Sequence, residues 1–403
     1  MRIALLAGLA GLAVIGCSSP GMDASAPDAG GGGGGGGVDA SGGSGSAAPT
    51  PDAAPACPAA AGTLTIYALP PPSSLDWSTP NKLLNSVVAS KLAATNLVNS
   101  GAAVMGHSIG HVNVALDCGD LSIPLTGQTD TGGGDWQALS DGAGLLLRDT
   151  PGILDAMPGG DGSDTIADIA AREQSGHVSE MKFTVNRAMC QRLHDFVDAY
   201  VAAGAYVNYD GASRARRMEG AGCAIFGAGV IDVGGLLRRS QFTPPWARTE
   251  MIGQARISDF LGSGTYRYGG NLVAVDGAGK HWLWPAGQAV PASALAPVVM
   301  GSSVLDAWNG PEDAAFGVTG ATGAMATQLP FTIYDPEMMA DWVDGVWAQA
   351  LDAGTASALG ATWTASLAGA AHVVTYDASC VAPQTIGFAD DNDDLFVDSN
   401  VPN

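Results

Sequence analysis

The sequence predicts an α+β fold in which a sheet packs against amphipathic helices. Three observations carry that prediction. Thr63-Leu64-Thr65-Ile66-Tyr67 and the stretch from His111 to Asp117 alternate apolar with other residues, the period of a strand with one buried face. Between Phe183 and Ala203, residues Val185, Met189, Leu193, Phe196, Val197 and Tyr200 recur at helical spacing. Gly220 to Leu237 begins with glycines, continues with Phe226, Val230, Val233 and Leu237 at helical spacing, and meets a stop at Gly234-Gly235. A later helix is expected over Pro336 to Leu351, with Pro336 near its first turn and Asp335 as its cap.

Composition narrows the class further. The chain has 403 residues and is 46% hydrophobic, enough to bury a core. Its 17 basic and 39 acidic residues give a net charge of −22, which excludes nucleic acid and an anionic membrane surface as partners. Charged residues make up 14%, against roughly 25% in an average soluble domain. Glycine, alanine and small polar residues fill the difference, a balance that fits an exported protein better than a cytosolic enzyme. Beyond the N-terminus no apolar run approaches the roughly 20 residues of a membrane span, so no membrane-spanning helix is expected.

The N-terminus reads as an address. Met1-Arg2 is a minimal positive region and Ile3 to Ile15 an apolar region of signal-peptide length. Gly16-Cys17-Ser18-Ser19 then resembles the bacterial lipoprotein processing site. The resemblance implies a signal peptide over residues 1–17, diacylation of Cys17, and a lipid anchor to the outer membrane, periplasmic or surface-facing. Val14 and Ile15 depart from the commonest residues of that site. Residues 18–61, with eight consecutive glycines from Gly30 to Gly37, read as a disordered tether.

Six cysteines stand at 17, 57, 118, 190, 223 and 380. Setting Cys17 aside leaves five, so in an oxidising compartment at least one stays unpaired. Pairing among 57, 118, 190 and 380 would free Cys223, but the sequence does not fix the connectivity. Cys57 and Cys380 flank the expected globular region and could staple its ends. No CxxC occurs and no Cys/His spacing suits zinc. The glycine-rich stretches Thr131–Asp135 and Gly159–Ser163 lack the Gly-Lys-Ser/Thr of a phosphate loop. No metal or cofactor is expected.

The chemistry concentrates at Cys223. A cysteine in the first turn of a helix meets unpaired backbone N–H groups and the positive end of the helix dipole, which favour a thiolate. Arg214, Arg216 and Arg217 precede it and form the densest basic cluster of an acidic chain, so they are expected to support an anion there. His111 opens its strand and His107 lies in the glycine-flanked approach to it. Either could exchange a proton with the thiol.

Gly220-Ala221-Gly222-Cys223-Ala224-Ile225-Phe226, followed by an apolar helix and a Gly-Leu ending, resembles the nucleophile helix of NlpC-type papain-like cysteine peptidases. The histidine strand precedes the cysteine here, an order similar to the circularly permuted branch that includes the lecithin retinol acyltransferase-like proteins. The resemblance covers roughly residues 100–240. It implies a permuted papain-like domain over 62–240, with an antiparallel sheet packed on the nucleophile helix. It also implies Cys223 as nucleophile, His111 as base with His107 as the alternative, and a polar residue on a neighbouring strand that orients the histidine. Gln128 is the expected orienting residue, with His177 as a second candidate. The expected activity is an envelope-anchored thiol hydrolase, an amidase or peptidase on peptidoglycan peptides, or an acyltransferase on a lipid ester.

The competing reading is a non-catalytic surface lipoprotein that binds glycan or protein, with Cys223 structural. Residues 241–403 form either a C-terminal extension or a second subdomain. There Trp342 and Trp347 either line a substrate groove or pack the core. The Asp390–Asp394 run has half the spacing of a calcium loop but lacks its glycine and its bidentate glutamate, and reads as a solvated acidic tail.

Overall fold

The structure, a computed structural model, describes residues 57–388 apart from 79, 132–149, 159, 210–214, 238–242, 386 and, between 254 and 327, everything outside five short strands. Cys17, nearly all of the tether, Arg214 and the acidic run 390–394 therefore lie outside the described residues.

Strand β1 (Ala60–Leu69) is long because it alternates cleanly. Leu64, Ile66 and Ala68 are fully buried on one face. It pairs antiparallel with β2 (His111–Asp117) on one side and β6 (Ser179–Asn186) on the other. Before β6 in the chain come β3 (Ile123–Thr126), which pairs with β2, then β4 (Gln128–Asp130) and β5 (Thr150–Leu154). These last two join β7 (Asn208–Tyr209) in a small sheet of order β4-β5-β7. Further on, β8 (Ala247–Gly253) pairs with β14 (Gln328–Tyr334). Between them, β9 (Gly264–Tyr268), β10 (Asn271–Val275), β11 (His281–Trp284), β12 (Val298–Val299) and β13 (Ala324–Met325) form a sheet of order β12-β9-β10-β11-β13. The chain returns through β15 (Ala356–Ala358), β16 (Ala361–Ala368) and β17 (Ala371–Asp377) to complete the main seven-stranded sheet, β15-β16-β17-β6-β1-β2-β3.

The sheet is mixed, not antiparallel as expected, because β17 lies parallel to β6, with His372 opposite Ser179 and Tyr376 opposite Phe183. Residues 356–377 thus complete the sheet that residues 60–186 begin.

Five helices of more than ten residues are described: α1 (Pro80–Ser100), α2 (Ser163–Ser175), α3 (Arg187–Ala202), α4 (Cys223–Gly234) and α5 (Pro336–Ala353). The expected segment 183–203 divides into the end of β6 and α3, with Asn186 capping the helix by accepting from Met189 N–H. Asp335 caps α5 through Glu337 N–H, and Pro336 fills the first turn. Helix α4 is buried along its whole length. It lies so close to β2 that a Cβ on Gly227 would come within 2.6 Å of Val112 Cγ1, so the glycine permits the approach. Trp342 does not line a groove. It sits edge-on between Trp246 and Trp363, both fully buried. No helix among the described residues is long and apolar enough to cross a membrane.

Two disulfides close this framework. Cys57–Cys380 joins the approach to β1 with the residues after β17, and Cys118–Cys190 joins the end of β2 to α3. Cys223 is the free, buried thiol among the described cysteines.

Candidate active site

Cys223 is the first residue of α4, with Gly222 as an extended N-cap and left-handed Gly235 (φ +66°) ending the helix. The first backbone N–H groups of a helix have no intrahelical partner, so they point past Cys223 toward whatever sits at the helix start. The Tyr209 hydroxyl on β7 approaches the Cys223 sulfur at 4.0 Å. The sulfur is closed from water, with Cys223 only 2% exposed.

His111 comes from the first position of β2 and is 3% exposed. Burial alone would lower its pKa. The nearby sulfur of Cys223, together with the Asp155 carboxylate, outweighs burial and pushes it up to about 10 from 6.5, so the ring is held as an imidazolium. Asp155 follows β5, and its Oδ2 stands 3.7 Å from His111 Nε2, which makes no closer hydrogen bond. Catalytic contacts of this kind tighten when substrate binds. Asp155 is itself fixed on two sides. Thr129 Oγ1 donates to its Oδ1 at 2.8 Å, and its backbone N–H donates to Gly127 O. Burial would raise the Asp155 carboxyl pKa, but the His111 imidazole close to it, the charge of that ring and the Thr129 hydrogen bond hold it low. Gly127 leaves the space this cluster occupies. A Cβ there would fall 2.4 Å from Asn113 Oδ1 and 2.7 Å from His111 Nε2.

His107 stacks on His111 with ring centroids 4.4 Å apart and planes 4° from parallel. Its Nε2 lies 3.5 Å from Asp168 Oδ2. Burial, then the charge of His111, lowers its pKa, and Asp168 only partly compensates, leaving it at about 4. Asp168 accepts from Val104 N–H, Met105 N–H and Arg172 Nε, and Arg172 also donates to Met105 O. Despite its burial, hydrogen bonds from His107, Met105 N–H and Arg172 hold this carboxyl well below the usual carboxylate range.

A stability prediction follows from His107. In the unfolded chain the imidazole takes up a proton near 6.5, whereas in the folded protein it stays neutral to about 4. The unfolded state therefore binds more protons across that window, and folding stability falls as pH drops from about 6.5 to about 4. The loss is about 3 kcal/mol. Urea unfolding of wild type and His107→Phe at both ends of the window checks this. The variant should lose less, and equal losses would remove His107 as the source.

The expected site residues divide. Cys223 and His111 are brought together. His107 meets the ring of His111 and not the sulfur. Gln128 does not orient His111. Its Nε2 donates to Tyr206 O and Asn208 O, and its Oε1 accepts from Tyr200. Asp155 stands in that place. His177 closes the end of α2 through its backbone N–H to Arg172 O. Arg216 does not serve the thiol. Arg216 is 1% exposed, ion-paired with Asp232 in the last turn of α4, and donates to Phe388 O. Arg217 lies in the same single turn, Ala215–Arg217. The signal for Asp155 is its place at the end of a strand-like Gly152-Ile153-Leu154.

Comparison of the chain with protein-family models, with curated proteins and with solved structures finds no match in any of the three.

Proposed function

We propose that the protein is a thiol hydrolase of the cell envelope, with Cys223 as nucleophile, His111 as general base and acid, Asp155 as the group that orients His111, and a permuted papain-like arrangement of these parts. The observation that carries this reading is the convergence of three groups from separate parts of the chain: a cysteine at a helix N-terminus, a histidine held protonated beside it, and a buried carboxylate behind the histidine. The Cys223 sulfur, its proton lodged on His111, attacks the carbonyl carbon of an amide or ester. The oxyanion that forms faces backbone N–H groups at the start of α4. His111 then gives its proton to the departing amine or alcohol, leaving a thioester on Cys223. Water, deprotonated by His111, attacks the thioester, and the sulfur leaves as a thiolate as the acid departs, with the proton back on His111 as at the start.

The setting belongs to the same proposal. Lipidation at Cys17 would tether the domain to the outer membrane through residues 18–61. The two disulfides accord with an oxidising compartment. Peptidoglycan stem peptides are the amides nearest to such an anchor and lead the substrate list, with a lipid ester as the acyltransferase alternative.

Incubating the full chain with muropeptides and with a panel of acyl esters, then quenching in acid for intact-mass analysis, tests the activity. An acyl adduct that maps to Cys223 and is missing from Cys223→Ser is expected. Turnover that persists in Cys223→Ser overturns the proposal. A structural role for Cys223, within a non-catalytic binding lipoprotein, is the competing reading, and the burial of the sulfur is the observation in its favour.

A further inference from the structure

We infer that His107 is a positioning residue for His111: its flat ring is the wall against which the His111 imidazole is held in line with both Cys223 and Asp155. The inference rests on the thiol-hydrolase reading of the same site and adds to it a second histidine with a different task.

The sequence builds this wall from one turn. His107-Ser108-Ile109-Gly110 closes with the Gly110 N–H donating to His107 O at 3.3 Å, and His111 follows directly as the first residue of β2. The turn thus sets the two rings face to face. It needs glycine at its last position. Gly110 has φ +82°, and a Cβ there would meet Leu69 O and Pro336 Cβ at 2.9 Å.

The turn is then held from the far side. Asp168 on α2 collects the N–H groups of Val104 and Met105, the Arg172 guanidinium and His107 Nε2, so the approach to the turn is bound to α2 through one carboxylate. With Nε2 turned to Asp168, His107 has no role in taking the thiol proton. What it offers His111 is a flat polarisable surface at 4.4 Å. A neutral ring on that surface suits an imidazolium, as an aromatic face suits a cation, and a charged one would repel it. The charged and titratable groups around His107 are His111, Asp168 and Arg172, with Asp155 beyond His111. Among them the neutral state is the one that leaves His111 its proton.

The test compares His107→Phe with His107→Leu in the full chain. Both lose the link to Asp168 and fill similar space, but only phenylalanine keeps the flat face. The probe is iodoacetamide at about pH 6, with Cys223 modification followed by peptide mass mapping and the His111 titration followed by imidazole NMR. His107→Phe should react within about threefold of wild type and keep the His111 titration. His107→Leu should react about tenfold more slowly and shift it, since small misplacements of reacting groups carry losses of that order or more. If His107→Leu does not fold, His107→Gln, which keeps a donor for Asp168 but has no ring, replaces it with the same expectation. Equal rates in the two variants beside a fast wild type overturn the positioning role and leave the Cys223–His111 reading standing. A slow wild type overturns that reading and this inference with it.

Discussion

Replacing His111 by alanine should slow acylation of Cys223 by about 10²–10⁴-fold, the range of a general acid–base group. The ring has two duties at this site. It holds the proton that leaves the sulfur, and it delivers that proton to the leaving group. Its protonated state is secured from two sides, by the sulfur and by Asp155, against the cost of burial. Removing the ring removes both duties and leaves Asp155 as a largely buried carboxylate without its cation. Asp155→Ala should cost less, because the sulfur still faces the imidazole. Asp155→Asn should fall between wild type and alanine, since an amide can orient the ring without stabilising its charge. Rates of thioester formation by rapid quench, with folding checked by circular dichroism, order these variants. An Asp155→Ala enzyme as fast as wild type would show that the carboxylate is only structural.

Opening the Cys118–Cys190 disulfide should destabilise the fold by about 4 kcal/mol, from the loop entropy that a cross-link of this span removes from the unfolded chain. The bridge spans 72 residues and both of its cysteines are buried in the main core. It ties the end of β2 to α3, and His111 stands at the other end of the same short strand. The double variant Cys118→Ala/Cys190→Ala should lose about that much in urea unfolding. It should also react more slowly at Cys223, because β2 is no longer tied at one end. A loss below about 1 kcal/mol would mean that the sheet and α3 fix β2 without help.

Much of the frame of this site was legible in the sequence, because its signals are local. Alternation marked β1 and β2, and the glycines around Cys223 marked the start and stop of α4. Asp335 and Pro336 marked the start of α5. The unread parts are those that depend on distant contacts. Asp155 is one carboxylate among 39 acidic residues, and its place after a strand-like stretch does not by itself single it out. It reaches His111 only because β5 pairs with β4, which brings Asp155 N–H to Gly127 O. Gln128 drew the role of orienting residue because it is a polar residue on the neighbouring strand, yet its side chain is spent on the carbonyls of Tyr206 and Asn208. Arg216 misled for the opposite reason. Closeness in sequence to Cys223 did not become closeness in space, since Arg216 is drawn to Asp232 in the last turn of α4. The parallel seat of β17 beside β6 joins residues almost 200 positions apart, and no local pattern announces such a pairing.

The central claim, that Cys223 and His111 form a working pair, is tested most directly by treating the native full chain with iodoacetamide at about pH 6 and mapping the modified cysteine. The small reagent suits a sulfur so closely enclosed. Rapid alkylation confined to Cys223, and its collapse in His111→Ala, is the predicted result. A Cys223 that reacts no faster than a free cysteine at that pH, or that reacts equally in His111→Ala, would contradict the account.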